Sequence, residues 1–322
     1  MVSPSLDPTR YRLSPQVLLS DILGCHSCYT HGYANPVYRS DRPKLAEFHY
    51  LAETLIEPLI QQHGPISITY GYIAPALSQQ IVKYQDPQKP SYHRGDAGAA
   101  VDVCVHAWVN QDRPPIELVR LLHHQGYPYS RLITYAESEI ICMATRLSER
   151  HGVPRHACYE NRYVGVRKPQ VVQHRTPTLA QPLKLTHPWR GRGYPSYHGG
   201  GRRQFEHIRL SAYTLLSDFL YDRDGMQTGK KNIPALFNAA FWPQARRAGA
   251  LIDQLVALTG YKPSIVAGIS PAQPWLTGYY LELVPPQGRT TTELLDILAT
   301  LVPVTGLAQN KTLNRVRVSV PA

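Results

Sequence analysis

The sequence has no long apolar run. Its most hydrophobic stretches are broken by proline, glycine or charge, so none has the length of a membrane span. The beginning, MVSPSLDPTRYRLSP, lacks both the basic start and the apolar core of a secretory leader. The expectation is synthesis in a cytoplasm, with exit only by lysis or on a larger particle. Cysteine is scarce and odd in number. Cys25, Cys28, Cys104, Cys142 and Cys158 predict no disulfide framework. Acid is short as well: 23 Asp and Glu stand against 34 Lys and Arg, a formal charge of +11. That shortage is local. Between Arg150 and Phe205, eleven basic residues face one acid, Glu160, among six prolines and seven glycines. Such a composition, as in THPWRGRGYPSYHGGGRRQ, cannot bury enough apolar surface for a core and reads as an extended basic connector. It serves as a solvated linker, as a contact for nucleic acid or an anionic glycan, or as an arm across neighbouring subunits.

What is present is a repeat. RLSPQVLLSDIL (Arg12 to Leu23) and RLSAYTLLSDFL (Arg209 to Leu220) share eight of twelve residues at an offset of 197. At the same offset SITYG (Ser67 to Gly71) meets SIVAG (Ser264 to Gly268). Between them lie KLAEFHYLAETLIEPLIQQHG and PQARRAGALIDQLVALTG, both with helical apolar spacing and a closing glycine. The chain of 322 residues thus reads as two α+β units, 1–149 and 207–322, joined by the connector 150–206. Each has a short helix, a long amphipathic helix, a β-branched strand, and a second strand (AAVDVCVHAW or YYLELVPP). A further helix (PPIELVRLLHHQG or TTTELLDILATLV) leads to a last strand (EIICMAT or RVRVSVP).

The units differ in one loop. Pro75 to Asp102 takes 27 positions, whereas Pro271 to Glu282 takes 11. The longer loop carries Ser91 and His93, then Gly98, Ala99 and Ala100, which allow close backbone approach. Asp102 follows on a strand whose alternating valines, Val101, Val103 and Val105, face the core. An imidazole and a carboxylate brought together by a Gly/Ala turn make half of a zinc site. A bland reading stands beside it, in which His93 caps a loop and Asp102 accepts backbone hydrogen bonds. His106 shares the Asp102 face but lies about 13 Å along the strand, too far for joint coordination without a bend. CHSCYTH offers Cys25, Cys28 and His31 to a structural zinc, with no second pair at finger spacing.

GPISITYGYIAP followed by SYHRGDAGAAVDV resembles the zinc D-alanyl-D-alanine metallopeptidase family, which includes VanY-like carboxypeptidases and phage L-alanoyl-D-glutamate endolysins. The matching residues are Gly71, Tyr72 and Pro75, then Ser91 and His93, then Gly98, Ala100 and Asp102. The resemblance covers most of 10–147. It implies two tandem metallopeptidase-like units, each a small antiparallel sheet packed with helices, the second lacking metal ligands. It also implies zinc held by His93, Asp102 and a third ligand. The family's Glu-x-x-His falls on Glu139-x-x-Cys142, so Glu139 would activate water and Cys142 would bind metal, with Ser91 or Arg94 positioning substrate.

Two departures bear on activity. Eight residues separate His93 from Asp102 where the family has six, and a thiol stands where it has an imidazole. A thiolate removes the site's net positive charge, which leaves bound water less acidic than the usual pKa of about 7. Cys142 also reads as a buried apolar residue of IICMA.

The resulting expectation is a phage virion structural protein on a duplicated peptidase-like fold with weak or no activity. It would be made in the host cytoplasm and carried in the particle. Its partners would be other virion proteins or copies of itself, with nucleic acid reached through 150–206 and no membrane. The alternative is an active zinc peptidase acting on peptidoglycan stem peptides.

Overall fold

Apolar residues at i, i+3 and i+4 build one long helix in each half of the chain. In a computed structural model, α1 combines Arg42–Leu51, a π-helical turn Ala52–Ile56 and Glu57–His63. It buries Leu45, Phe48, Leu51, Leu55 and Leu59 and stops at Gly64, whose φ of 78° suits a glycine beyond a helix end. The shorter α2 (Pro115–His124) and the long α3 (Phe241–Thr259) follow the same logic, and α3 stops at Gly260 with φ 74°. The last, α4 (Thr291–Ala299), opens with a capping box between Thr290 and Glu293. The structure describes residues 4–25, 28–29, 32–81, 86, 90–135, 139–147, 158–163, 169–174, 207–220, 241–268, 279–301, 304 and 306–320. No helix among them is long and apolar enough to cross a membrane.

The strands are β1 (Ile66–Tyr70), β2 (Ala99–Val105), β3 (Arg131–Tyr135), β4 (Ile140–Thr145), β5 (Cys158–Tyr163), β6 (Pro169–His174), β7 (Ser264–Ala267), β8 (Tyr279–Val284), β9 (Gly306–Asn310) and β10 (Arg315–Val320). The architecture is mixed α+β, as the patterning predicts. The first sheet runs β1-β2-β4-β3, antiparallel throughout, and is extended past β3 by a parallel β5 and then β6. The second runs β7-β8-β10-β9, also antiparallel. Register agrees in detail. Ile68 and Tyr70 pair with Val103 and Asp102 across a bulge, and Ile265 and Ala267 pair with Leu283 and Glu282 across another. Asp102 then pairs with Cys142, and Glu282 with Arg317.

Three expectations need correction. The second strand stops at Val105, and His106–Asn110 is a helical turn, because His106 turns away to bond Ser67. Strands β3 and β9 escape sequence reading, being short and weakly alternating. Part of the connector is not extended coil, since β5 and β6 form an antiparallel pair on the β3 edge.

The halves meet through reciprocal contacts. Asp21 accepts from Leu18 N–H (2.7 Å) and from the Ser264 hydroxyl (2.8 Å). Asp218, 197 positions on, accepts from Leu215 N–H (2.7 Å) and the Ser67 hydroxyl (2.6 Å). Leu18 packs on Val266 and Val284, and Leu215 packs on Cys104 and Ile140. Arg12 donates to the Pro15 and Pro285 carbonyls, while Arg209 donates to Ala212 O and reaches His106. Gly71 and Gly268 permit the close approach. A Cβ at either would lie 2.4 Å from a carbonyl oxygen, of Ile22 or Phe219. One feature breaks the correspondence: the loop Gly260 to Ser264 is one residue longer than Gly64 to Ser67, and it carries Lys262.

Candidate metal centre

Antiparallel pairing of β2 with β4 sets Asp102 directly opposite Cys142. Period two then gives one sheet face to Ala100, Asp102, Cys142 and Ala144 and the other to Val101, Val103, Ile141 and Met143, which enter the core. The third group arrives from a loop. Ser91 leads into a 3-10 turn, Tyr92–Arg94, closed by Gly95 at φ 72°. Ile73 N–H donates to His93 O at 2.8 Å, tying the turn to the end of β1. Gly98, at φ 124°, runs so close to β4 that a Cβ would lie 2.2 Å from Thr145 O. Only glycine fits there.

This brings His93, Asp102 and Cys142 together. One ligand atom from each lies within 4.8 Å of the others, and the group could hold a metal ion. Asp102 and Cys142 are 7% and 4% exposed. His93 Nδ1 lies 3.0 Å from Gly71 O, a contact that makes Nδ1 the protonated nitrogen and leaves Nε2 as the electron-pair donor. The Tyr70 ring meets the imidazole edge-on with centroids 4.7 Å apart. A neutral imidazole, a carboxylate and a thiolate, with a fourth position open, is a donor set zinc accepts, and the three negative or neutral donors cancel its charge. Among the described residues no other group of three or more such side chains meets the same test. After the histidine, Asp96 N–H donates to Ser91 O at 3.2 Å and closes the turn.

The other expected site residues are placed elsewhere. Glu139 precedes β4, three residues before Cys142, and forms an ion pair with Arg209 at 3.2 Å. Glu139 lies just outside β4 and is not one of the three grouped side chains; the Arg209 nitrogen that holds it also lies 3.7 Å from Cys104 Sγ. Arg94 is buried, donates through Nε to Asp96 at 2.6 Å, and holds the loop together rather than facing outward. Lys44 pairs with the same Asp96 at 2.9 Å. His106 is fully buried at the meeting of the two halves, bonded to Ser67 at 2.7 Å, and lies outside the group of His93, Asp102 and Cys142. Cys25 and Cys28 bring their thiols to 2.8 Å, both buried, and His31 lies outside the described residues. Cys25, Cys28, Cys104 and Cys142 are all thiols rather than halves of disulfides.

Sequence reasoning missed the rim of the site. The Arg131 guanidinium lies 4.8 Å and that of Arg146 5.1 Å from the centre of the Tyr92 ring, and Tyr92 packs against Ala100, Cys142 and Ala144. The signal was available for Arg131. It is two positions before Ile133, the β3 partner of Cys142, and period two puts both on the metal-site face.

Among the described residues the second sheet has no such group at the matching register. Glu282 accepts from Arg317 at 2.7 Å and from Arg315 at 3.0 Å. Burial works against that charge, but the hydrogen bonds from Arg317 and Arg315 hold the Glu282 carboxyl below its usual range. Comparison with protein-family models, with curated proteins and with solved structures finds no match to this chain.

Proposed function

We propose that the chain is a zinc-binding protein built from two tandem metallopeptidase-like units, whose first unit keeps the metal site and whose second has replaced it by an ion pair. The observation carrying this reading is the preassembled set of His93, Asp102 and Cys142 within 4.8 Å. The matching order of four strands in each sheet and the reciprocal Asp21–Ser264 and Asp218–Ser67 bonds support the duplication.

Bound zinc would supply Lewis acidity to an oxygen ligand in its fourth position. His93 would bind through Nε2, oriented by Gly71 O. Asp102 and Cys142 would neutralise the ion, which weakens its pull on a substrate oxygen. The acid expected to take a proton, Glu139, is instead paired with Arg209 just before β4. The chain therefore serves as a binding or assembly component with little turnover, and the sequence resemblance supports a phage particle as its setting. An active peptidase on peptidoglycan stem peptides is the second reading. The Arg131, Arg146 and Tyr92 rim favours it, as a surface suited to an anionic peptide end.

Metal analysis of the purified chain separates these. About one zinc per chain, lost in His93→Ala and Cys142→Ala, with intact muropeptides after incubation, is the expected result. A metal-free wild type would overturn the zinc site. Muropeptide cleavage that vanishes in Cys142→Ala would replace the assembly role by the enzyme.

A further inference from the structure

An open sheet leaves a row of unpaired N–H and C=O groups along each outer strand, and the outer strands here are β1, β6, β7 and β9. Two of these are turned inward. β1 and β7 lie where the halves meet, with Asp218 bonded to Ser67 and Asp21 to Ser264. The third is guarded. β6 opens at Pro169, which has no N–H to offer, and Arg167 and Lys168 precede it in the sequence. Proline and basic residues are devices that keep an edge strand from pairing with another chain. β9 has neither. Its five residues, GLAQN, carry no charge and no proline, and its register with β10 runs without a bulge.

The first half of the chain shows that this place in the fold accepts a further strand. β3 and β9 hold the same place in the two sheets, beside β4 and β10, and β3 is covered by β5 from Leu132 to Tyr135. Among the described residues no strand covers β9. One face of β9 is committed. Leu307 packs against the core, and Gln309 donates to the hydroxyls of Thr291 at 2.6 Å and Thr292 at 3.5 Å on α4. The other face holds Gly306, Ala308 and Asn310, the last two exposed, and none has the bulk to keep a second backbone away. On α4, Thr292, Leu295 and Ala299 follow at i, i+3 and i+7, an uncharged stripe on the side that touches Gln309. Thr292 and Ala299 are exposed and Leu295 is half-buried. An uncharged, unguarded edge suits a partner edge of the same kind, and the described strand that meets this description is β9 of another copy.

We propose that β9 is an association edge that pairs antiparallel with β9 of a second copy, about a two-fold axis near Ala308. The second sheets of the two copies then join into one antiparallel sheet, with four strands from each, and the two α4 stripes meet over the join. Such a contact is self-complementary and closes at two copies. It lies on the second sheet, apart from His93, Asp102 and Cys142, and does not depend on zinc there.

The test is sedimentation of the full chain from about 1 to 300 μM, a span suited to a small interface. The mass should rise from one copy to two within it. Ala308→Lys sets two ammonium groups opposite each other and should raise the dimer dissociation constant roughly fivefold or more. Ala308 is exposed, so circular dichroism of the variant should match wild type. His93→Ala should dimerise as wild type does. Hydrogen exchange adds a readout that needs no variant: amides within 306–310 should slow as the concentration passes through the dissociation constant. A mass of one copy at every concentration would overturn the proposal. So would an unchanged dissociation constant in folded Ala308→Lys, or β9 amides that exchange at the same rate at every concentration, since either puts the contact on another surface. Growth beyond two copies would overturn the two-fold pairing, because a head-to-tail contact need not close.

Discussion

At one register position the two sheets do opposite things. In the first, Asp102 faces Cys142 beside His93, a set of donors suited to a metal ion. In the second, Glu282 faces Arg317, with Arg315 beside it, and the guanidinium groups supply the positive charge. A carboxylate buried in the middle of a sheet needs a cation, because burial without one costs several kcal/mol. On the zinc-binding reading, the first sheet meets the need with an ion from solution and the second with a side chain. On that reading, loss of a metal site takes more than removing ligands. The carboxylate left behind must be paired.

The largest effect should follow from exchanging the two solutions. Cys142→Arg puts the second sheet's residue type in the first. Zinc content should fall from about one per chain to none, while the chain still folds, because the introduced guanidinium can pair with Asp102 as Arg317 pairs with Glu282. The reverse change, Arg317→Cys with Glu282→Asp, should gain no zinc, since no described imidazole reaches that face. Metal analysis with circular dichroism reads both. Zinc retained at full stoichiometry in Cys142→Arg would show that Cys142 is core rather than ligand.

Smaller, but still large, is the cost of Glu282→Gln. It leaves Arg315, 4% exposed, without its anion, and should destabilise the chain by about 2–3 kcal/mol in denaturant unfolding. The pH dependence has a definite sign. Because hydrogen bonds from the arginines outweigh burial and lower the folded-state pKa of Glu282, its contribution is present above the ordinary glutamate pKa and is lost as pH falls through the folded value. Wild type and Glu282→Gln should therefore converge in stability below about pH 4. Parallel curves down to about pH 3 would mean that the ion pair contributes nothing.

How much of this was legible depends on range. The internal sequence repeat, the long helices and the strands β1, β2, β4, β7, β8 and β10 can be read from local periodicity and the offset of 197. Membership of His93 and Asp102 in one site could be read because a short loop joins them. The place of Cys142 beside Asp102 rests on the β2–β4 register, which a sequence does not print. The pairing of Glu139 with Arg209 spans 70 positions, so no local spacing announces it. The burial of Arg94 was hidden too, because a loop arginine reads as exposed until its ion pair with Asp96 is seen. Lys262 was invisible for another reason: it occupies the one added residue of its loop, so comparing the halves gives it no counterpart.

The mildest effect probes where the halves differ at their meeting. Arg12 ends on the Pro285 carbonyl, but Arg209 ends on His106, the residue after the matching position in β2. Ser67 donates to Asp218 and so must accept from Lys262 and from His106, which makes Nε2 the protonated nitrogen and Nδ1 the acceptor from Arg209 at 3.4 Å. Burial first, then Lys262 and Arg209, hold this imidazole well below its usual range. The other groups around it carry no positive charge: Asp218 behind Ser67, the Tyr213 ring, and the Cys104 thiol, which burial pushes up to about 12. In the unfolded chain the same histidine takes a proton near about pH 6.5. Its contribution is therefore full above that pH and falls away below it, since only the unfolded state gains the proton. His106→Asn should cost about 1–2 kcal/mol at about pH 8, where the bond to Ser67 is lost. On going to about pH 5 the gap should narrow by up to about 2 kcal/mol, because the wild type alone loses the histidine's share. Denaturation midpoints of the two proteins at both pH values decide the matter. A gap that stays constant or widens on acidification would mean that His106 is protonated in the fold, and the hydrogen-bond directions at the centre of this interface would have to be reversed.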